Sequence, residues 1–347
     1  MILNSFIFLE GNTPIEYSEE ELCNIFESKK NTHFIYDNLR EAQITPNLQD
    51  GLDSFDISLG KSNSKFTILL AGDEKPEYFL NRKNINIIYN HGHFARLVYN
   101  QTKTRKELSN YQQIKQNFTN FILYLNCKPY GYRCKLMDEV QNTSLLKNST
   151  WSWLITNEKY DWKYWNQEIK TIENDILLET KYINNTGYNP QRQDFIEFNT
   201  NCFIQLISES QPYYFFLTEK TVKPLLHGQL FLVASSVNFH KKLKNLGFKL
   251  YDEIIDYSFD SLISYDDRVK GIINNLENLK NLNWNETYKK LEEKIKFNQS
   301  HLYKFAFHKE HNLELFDLIE KNQSSFDELK LNIDNYIFTK ELYYENK

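Results

Sequence analysis

The chain has 347 residues, beyond the usual reach of one compact core, so two domains of ordinary size are expected. Apolar residues at 41% and charged residues at 25% exclude a disordered chain, and a formal net charge of −5 excludes a global attraction to nucleic acid, leaving only a local basic cleft. Cysteines at 23, 127, 134 and 202 form no Cys-x-x-Cys pair and are too few to staple such a chain, which predicts reduced thiols in a cytoplasmic protein.

The opening Met1 to Glu10 lacks a basic leader and is broken by Asn4, so a buried strand near 2–9 is expected rather than a signal peptide. No uninterrupted apolar run approaches the ~20 residues of a membrane span. A helix near 18–29 and strands near 66–71 and 85–89 follow, giving an alternation of strands and helices. Continuous apolar runs such as Phe66 to Ala71 suit a parallel sheet buried on both faces, with ligand groups at the strands' carboxyl ends. A polar stretch from Gln101 to Gln116 marks the expected boundary of an N-terminal α/β domain, 1–115.

A second α/β domain is expected over 116–285, with strands at Phe121 to Leu125 and near 202–207, an apolar run at 230–234, a helix near 238–245 stopped by Gly247, and a strand near 248–251. From Asn285 the apolar residues Tyr288, Leu291 and Ile295 recur at helical spacing, and helices are expected to about residue 320 within a C-terminal segment, 286–347, that folds back on the first domain. Trp151, Trp153, Trp162 and Trp165 are expected to serve packing, and His308 and His311 to face solvent.

Two stretches carry chemistry. Asn126 to Arg133 reads as a strand end, a Pro-Gly turn and an Arg at a helix start, where unpaired N–H groups and a guanidinium suit a diphosphate. Phe216-Leu217-Thr218-Glu219-Lys220-Thr221, ten residues after Glu209, offers a ring, a hydroxyl, a carboxylate and an ammonium to a ligand with a base, a ribose and phosphates. Pro224 disturbs the helix that begins there.

Residues 198–233 resemble the donor-binding motif of the α-1,3/α-1,4-fucosyltransferase family, in which a Phe-Glu-Asn-Ser element precedes Tyr-Val-Thr-Glu-Lys at the spacing between Glu209 and Glu219. The likeness runs from about 115 to 265. It implies a GT-B architecture, two Rossmann-type domains facing across a cleft, and inverting, metal-independent transfer of fucose or a related sugar from a GDP-sugar to an acceptor hydroxyl on a glycan. It further implies that Glu219 holds the ribose, that Lys220 and Arg133 hold the diphosphate, and that no cofactor beyond this co-substrate is needed. Ser210-Gln211, Phe216 and Phe231 depart from the family pattern, on the base and sugar side.

The donor set expected is therefore Asn126, Arg133, Glu209, Phe216, Thr218, Glu219, Lys220 and Lys223, with Phe216 or Glu209 toward the base. No Asp-x-Asp pair occurs to bind a bridging cation, so side-chain cations are expected to neutralise the leaving group. His91-Gly92-His93 has no third ligand at metal-binding spacing, and no metal is expected there. Asp73, Glu74, His91 and His93 are rival bases for the acceptor proton, and the sequence does not rank them. Two other readings stay open: glycosyl transfer to hydroxylated bases in DNA, and a catalytically silent protein that binds nucleotide-sugars.

Overall fold

Short strands alternating with helices build two parallel sheets, each with its own core. The computed structural model describes residues 5–10, 18–38, 50–70, 82–89, 115–126, 131–153, 193–209 and 212–307. The chain divides into two compact units, Met1–Arg96 with Phe305–Lys347, and Leu97–Lys304.

In the first unit, strands β1 (Ser5–Glu10), β2 (Thr32–Asn38), β3 (Lys65–Leu70) and β4 (Ile85–Tyr89) pair in parallel in their sequence order. Helix α1 (Glu19–Ser28) starts at a reciprocal cap. The Ser18 backbone N–H donates to Glu21 Oε2 at 2.6 Å, and the Glu21 N–H donates back to Ser18 Oγ at 3.2 Å. Leu22 and Phe26, four apart, put one apolar stripe of α1 on the sheet, beside Leu52, Phe55 and Leu59 of α2 (Leu52–Ser62). Phe26 is the hub, with ring centroids 4.8 Å from Phe34, 5.2 Å from Phe66 and 5.6 Å from Phe55. Right-handed crossovers between sequential neighbours place successive helices on one face, and α1 and α2 pack together there. The alternate residues His33, Ile35 and Thr67 are buried too, so β2 and β3 are covered on both faces.

The second unit contains β5 (Asn120–Asn126), α3 (Gly131–Gln141), β6 (Thr150–Trp153), α4 (Gln193–Asn201), β7 (Cys202–Ser208), α5 (Glu219–His227), β8 (Leu230–Ala234), α6 (Phe239–Asn245), α7 (Tyr265–Lys280) and α8 (Trp284–Phe307). Its strands run in parallel in the order β6-β5-β7-β8. All seven residues of β7 and all five of β8 are buried, as continuous apolar runs in a doubly covered parallel sheet require. From β5 the chain leaves toward β6 on one side, and from β7 toward β8 on the other. Helix α3 accordingly packs with α7, and α5 with α4. The direction of winding reverses between β5 and β7, and in open parallel sheets it is at the carboxyl ends of such a pair that ligands bind.

The strand expected near 248–251 does not form: Phe248, Leu250 and Tyr251 are buried, but the segment joins no sheet. Asn298 on α8 takes the place of a neighbouring strand. Its Oδ1 accepts from the Lys249 N–H and its Nδ2 donates to the Lys249 carbonyl, both at 2.8 Å. Trp153 is fully buried, in keeping with packing, whereas Trp162, Trp165, His308 and His311 lie outside the described residues. Cys23, Cys134 and Cys202 are free thiols.

Candidate functional site

Glu209 is the first residue beyond β7 and has no exposed surface. A carboxylate in such a place needs donors, and the start of α5 supplies them. Thr218 Oγ1 donates to Glu209 Oε2 at 2.6 Å, and Thr221 Oγ1 and the Thr218 N–H donate to Oε1 at 2.5 and 3.3 Å. Negative charge at a helix N-terminus is also favoured by the helix dipole. Thr218 is the N-cap of α5. Its Oγ1, while donating a hydrogen bond to Glu209, accepts from the Lys220 N–H at 3.2 Å and lies 3.4 Å from Lys220 Nζ.

The backbone of Glu209 is held from the opposite direction. Tyr132 Oη donates to its carbonyl at 3.0 Å and Arg133 Nη2 to the same oxygen at 3.5 Å. Both side chains come from the first turn of α3 and are buried. Tyr132 is itself fixed by Tyr265 of α7, whose hydroxyl donates to the Tyr132 carbonyl at 3.1 Å. Thus α3 grips the carbonyl of Glu209 and α5 grips its carboxylate. Arg133 reaches the Glu209 carbonyl and Lys220 the Thr218 hydroxyl, so each cation is anchored on one partner of the Glu209–Thr218 contact.

Asn126 closes β5 at the same end of the sheet and is buried, 4% exposed. Its Nδ2 lies near enough to Tyr124 to influence the phenol, yet it makes no hydrogen bond to any described residue. An orphaned buried amide at the end of a parallel strand suits a polar ligand.

The charges along α5 are coupled. Lys220 Nζ donates to Glu219 Oε1 at 3.0 Å. Burial works to raise the Glu219 carboxyl, but the Lys220 ammonium, its hydrogen bond and Lys223 outweigh that and hold the pKa at about 2. Burial drives Lys223 down to about 8, with Glu219 opposing the shift and Lys220 adding to it. At neutral pH the first turns of α5 therefore present a carboxylate flanked by two ammonium groups. The Glu219 and Lys220 side chains keep 36% and 25% of their surface exposed, enough to meet a ligand.

Phe216 is buried with Phe215 and Leu217, and the Phe215 ring packs 5.0 Å from Phe239. The Glu209 carboxylate is spent on Thr218 and Thr221. Of the donor set read from sequence, Glu209, Thr218, Glu219, Lys220 and Lys223 lie at the start of α5, with Arg133 on the Glu209 carbonyl and Asn126 at the neighbouring strand end. Tyr132 and Thr221 belong to the site and were not singled out. Thr221 falls three residues after Thr218, the spacing that lets two hydroxyls of one helix turn share a carboxylate. Asp73, Glu74, His91 and His93 lie outside the described residues.

A second buried polar pair is structural. His240 Nδ1 bonds Asp260 Oδ1 at 2.8 Å, and His240 Nε2 accepts from the Val233 N–H at 3.2 Å, so both ring nitrogens are committed. Burial acts to raise Asp260, but the hydrogen bond from the His240 ring and those from the Lys241 and His240 backbone N–H groups overcome it and lower its pKa. Among the described residues no cluster of His, Cys, Asp and Glu could hold a metal ion, and no helix is long and apolar enough to cross a membrane.

No protein-family model, curated protein or solved structure compared with the chain matches it.

Proposed function

We propose that the chain is an inverting glycosyltransferase that moves a sugar, fucose or a relative, from a GDP-sugar to an acceptor hydroxyl on a glycan. The observation that supports it most is that Glu209, bonded by Arg133 at its carbonyl, bonds through its carboxylate to Thr218, against which Lys220 lies, at the reversal point where doubly wound sheets bind nucleotides. Arg133, Lys220 and Lys223 stabilise the diphosphate as it departs with the electron pair of the anomeric C–O bond. The Glu219 carboxylate accepts the ribose hydroxyls, and Asn126 donates to a phosphate or sugar oxygen. Glu209 acts as a positioning residue: it fixes the Thr218 turn and touches no part of the donor.

The acceptor oxygen attacks the anomeric carbon from the opposite side while a base takes its proton, a role for Asp73, Glu74, His91 or His93. A GT-B architecture and independence of metal belong to this reading, as the fucosyltransferase resemblance implies. Residues 1–115 hold the acceptor.

The test is binding of GDP, UDP, CMP and ADP by thermal shift, followed by release of GDP from GDP-fucose and GDP-mannose with glycan acceptors. GDP is expected to stabilise most, and Lys220→Ala to lower turnover by about 10²–10³ with the fold intact. Full activity of that variant would overturn the assignment. Binding without release would instead favour the silent module, and salt-dependent retention on duplex DNA the DNA-directed enzyme.

A further inference from the structure

A second recess of the same unit lies at the other end of α5. Helix ends leave carbonyls unpaired, and three side chains take these in succession. Gln299 Nε2 donates to the Leu226 carbonyl, Gln116 Nε2 to that of His227 and Tyr288 Oη to that of Gly228, each at 2.9 Å. Gly228 must be glycine for this arrangement: its φ is +65°, and a Cβ would sit 3.1 Å from Gln299 and Ile295. Those same side chains wall a cavity of about 200 Å³. The nine residues of α5 span about 14 Å, which separates the cavity from the Thr218 turn.

The lining is charged at the rim and polar within. Lys115, Lys289 and Lys296 contribute ammonium groups against one carboxylate, Glu292, which pairs with Lys296 at 2.6 Å. Lys115 and Lys289 are exposed and have no ion pair among the described residues, so the rim carries two uncompensated charges. Gln116, Tyr288 and Gln299 add polar side chains to the lining. Burial, with Lys223 adding to it, drives the His227 imidazole to a pKa of about 3, so it is neutral and contributes no charge. The cations that line the space are ammonium point charges, which bind phosphate. The volume is below the ~300 Å³ at which pockets for drug-sized ligands begin, and too small for a nucleotide-sugar.

We infer that this cavity is a second binding site, for a small hydroxylated phosphomonoester whose phosphate sits between Lys115 and Lys289 and whose hydroxyl-bearing end enters the polar recess lined by Gln116, Tyr288 and Gln299. It is independent of the glycosyltransferase reading. The test titrates the full chain calorimetrically with glycerol 3-phosphate, with inorganic phosphate and glycerol as partial probes. Saturable binding of glycerol 3-phosphate is expected, with inorganic phosphate weaker and glycerol undetected. Lys289→Gln should weaken it about tenfold and Lys115→Gln similarly, by removing one close charge each. Both lysines are exposed, so neither change threatens folding. Lys220→Ala should leave this titration unchanged, which separates it from phosphate binding at the Thr218 turn. No saturation by glycerol 3-phosphate, or equal affinity in Lys289→Gln, would overturn the assignment, as would loss of binding in Lys220→Ala alone.

Discussion

The two sheets are built from the same ingredients and differ in order. In the first, β1 to β4 follow one another across the sheet, and the described helices α1 and α2 share a face around the Phe26 cluster. In the second, β5 sits inside and the chain departs in both directions, so the first turns of α3 and α5 arrive beside one another at the ends of β5 and β7. Strand direction and apolar content do not distinguish the sheets. Winding does, and buried polar chemistry collects where the winding reverses.

That contrast can be broken most forcefully from the apolar side. Phe26→Ala removes the ring on which α1, α2, β2 and β3 meet, and should cost about 3–5 kcal/mol in the stability of the first unit. GDP binding should survive it at temperatures where the first unit is still folded. If binding vanished together with the Phe26 cluster, the assignment of nucleotide chemistry to the second sheet would fail.

Glu209→Gln probes the other extreme. The amide keeps the shape but cannot accept from Thr218 and Thr221 as a charged group does, and the loss should be about 2–3 kcal/mol by denaturant unfolding. Donor affinity should fall as well, through loosening of the Thr218 turn. A variant of unchanged stability would show that this carboxylate does not hold the two helix starts together.

Asn298→Ala should cost about 2 kcal/mol, because it strips both partners from a part-buried peptide group at Lys249. The effect should appear in the second unit and leave the Phe26 cluster unchanged.

The smallest effect is a pH signature. Lys223 has a pKa of about 8 in the folded protein against an ordinary 10.5, so the folded state binds fewer protons than the unfolded state between those values. The penalty for burying its charge is fully present below about 8 and is relieved as pH rises toward 10.5, so this group's contribution to stability improves across that window. Affinity for GDP should move the opposite way, falling severalfold between about pH 7 and pH 9 as the ammonium is lost. Lys223→Ala should flatten both trends. A GDP affinity that held constant across that range in the parent chain would remove Lys223 from the proposed diphosphate site.

Much of this was legible in the sequence where one kind of signal dominates. β3, β5, β7 and β8 are continuous apolar runs, and Ser18 with Glu21 announces α1. β2 carries His33, Asp37 and Asn38 and does not stand out as a strand, and β6 is only four residues long. Helices α2 and α7 were also missed, since Ser, Gly, Asn and charged residues interrupt their apolar spacing. The segment 248–251 was misread because its apolar side chains pack as a strand's would, whereas its backbone partner is an amide on a helix 49 residues later. At the site, Thr218 to Lys220 and Arg133 could be picked out as local strings. The grip of Tyr132 on Glu209 could not, since it joins residues 77 positions apart and exists only once the sheet is wound.

The Asn298 clasp bears on how the protein behaves in a crowded solution. Phe248-Lys249-Leu250-Tyr251 is short, apolar and rich in β-forming side chains, the kind of stretch that seeds cross-chain association when its peptide groups are open. By closing the amide and carbonyl at its centre with a side chain, α8 withholds that template from other molecules. Release of the clasp would be felt in colloidal behaviour, as a rise in aggregation rate with protein concentration.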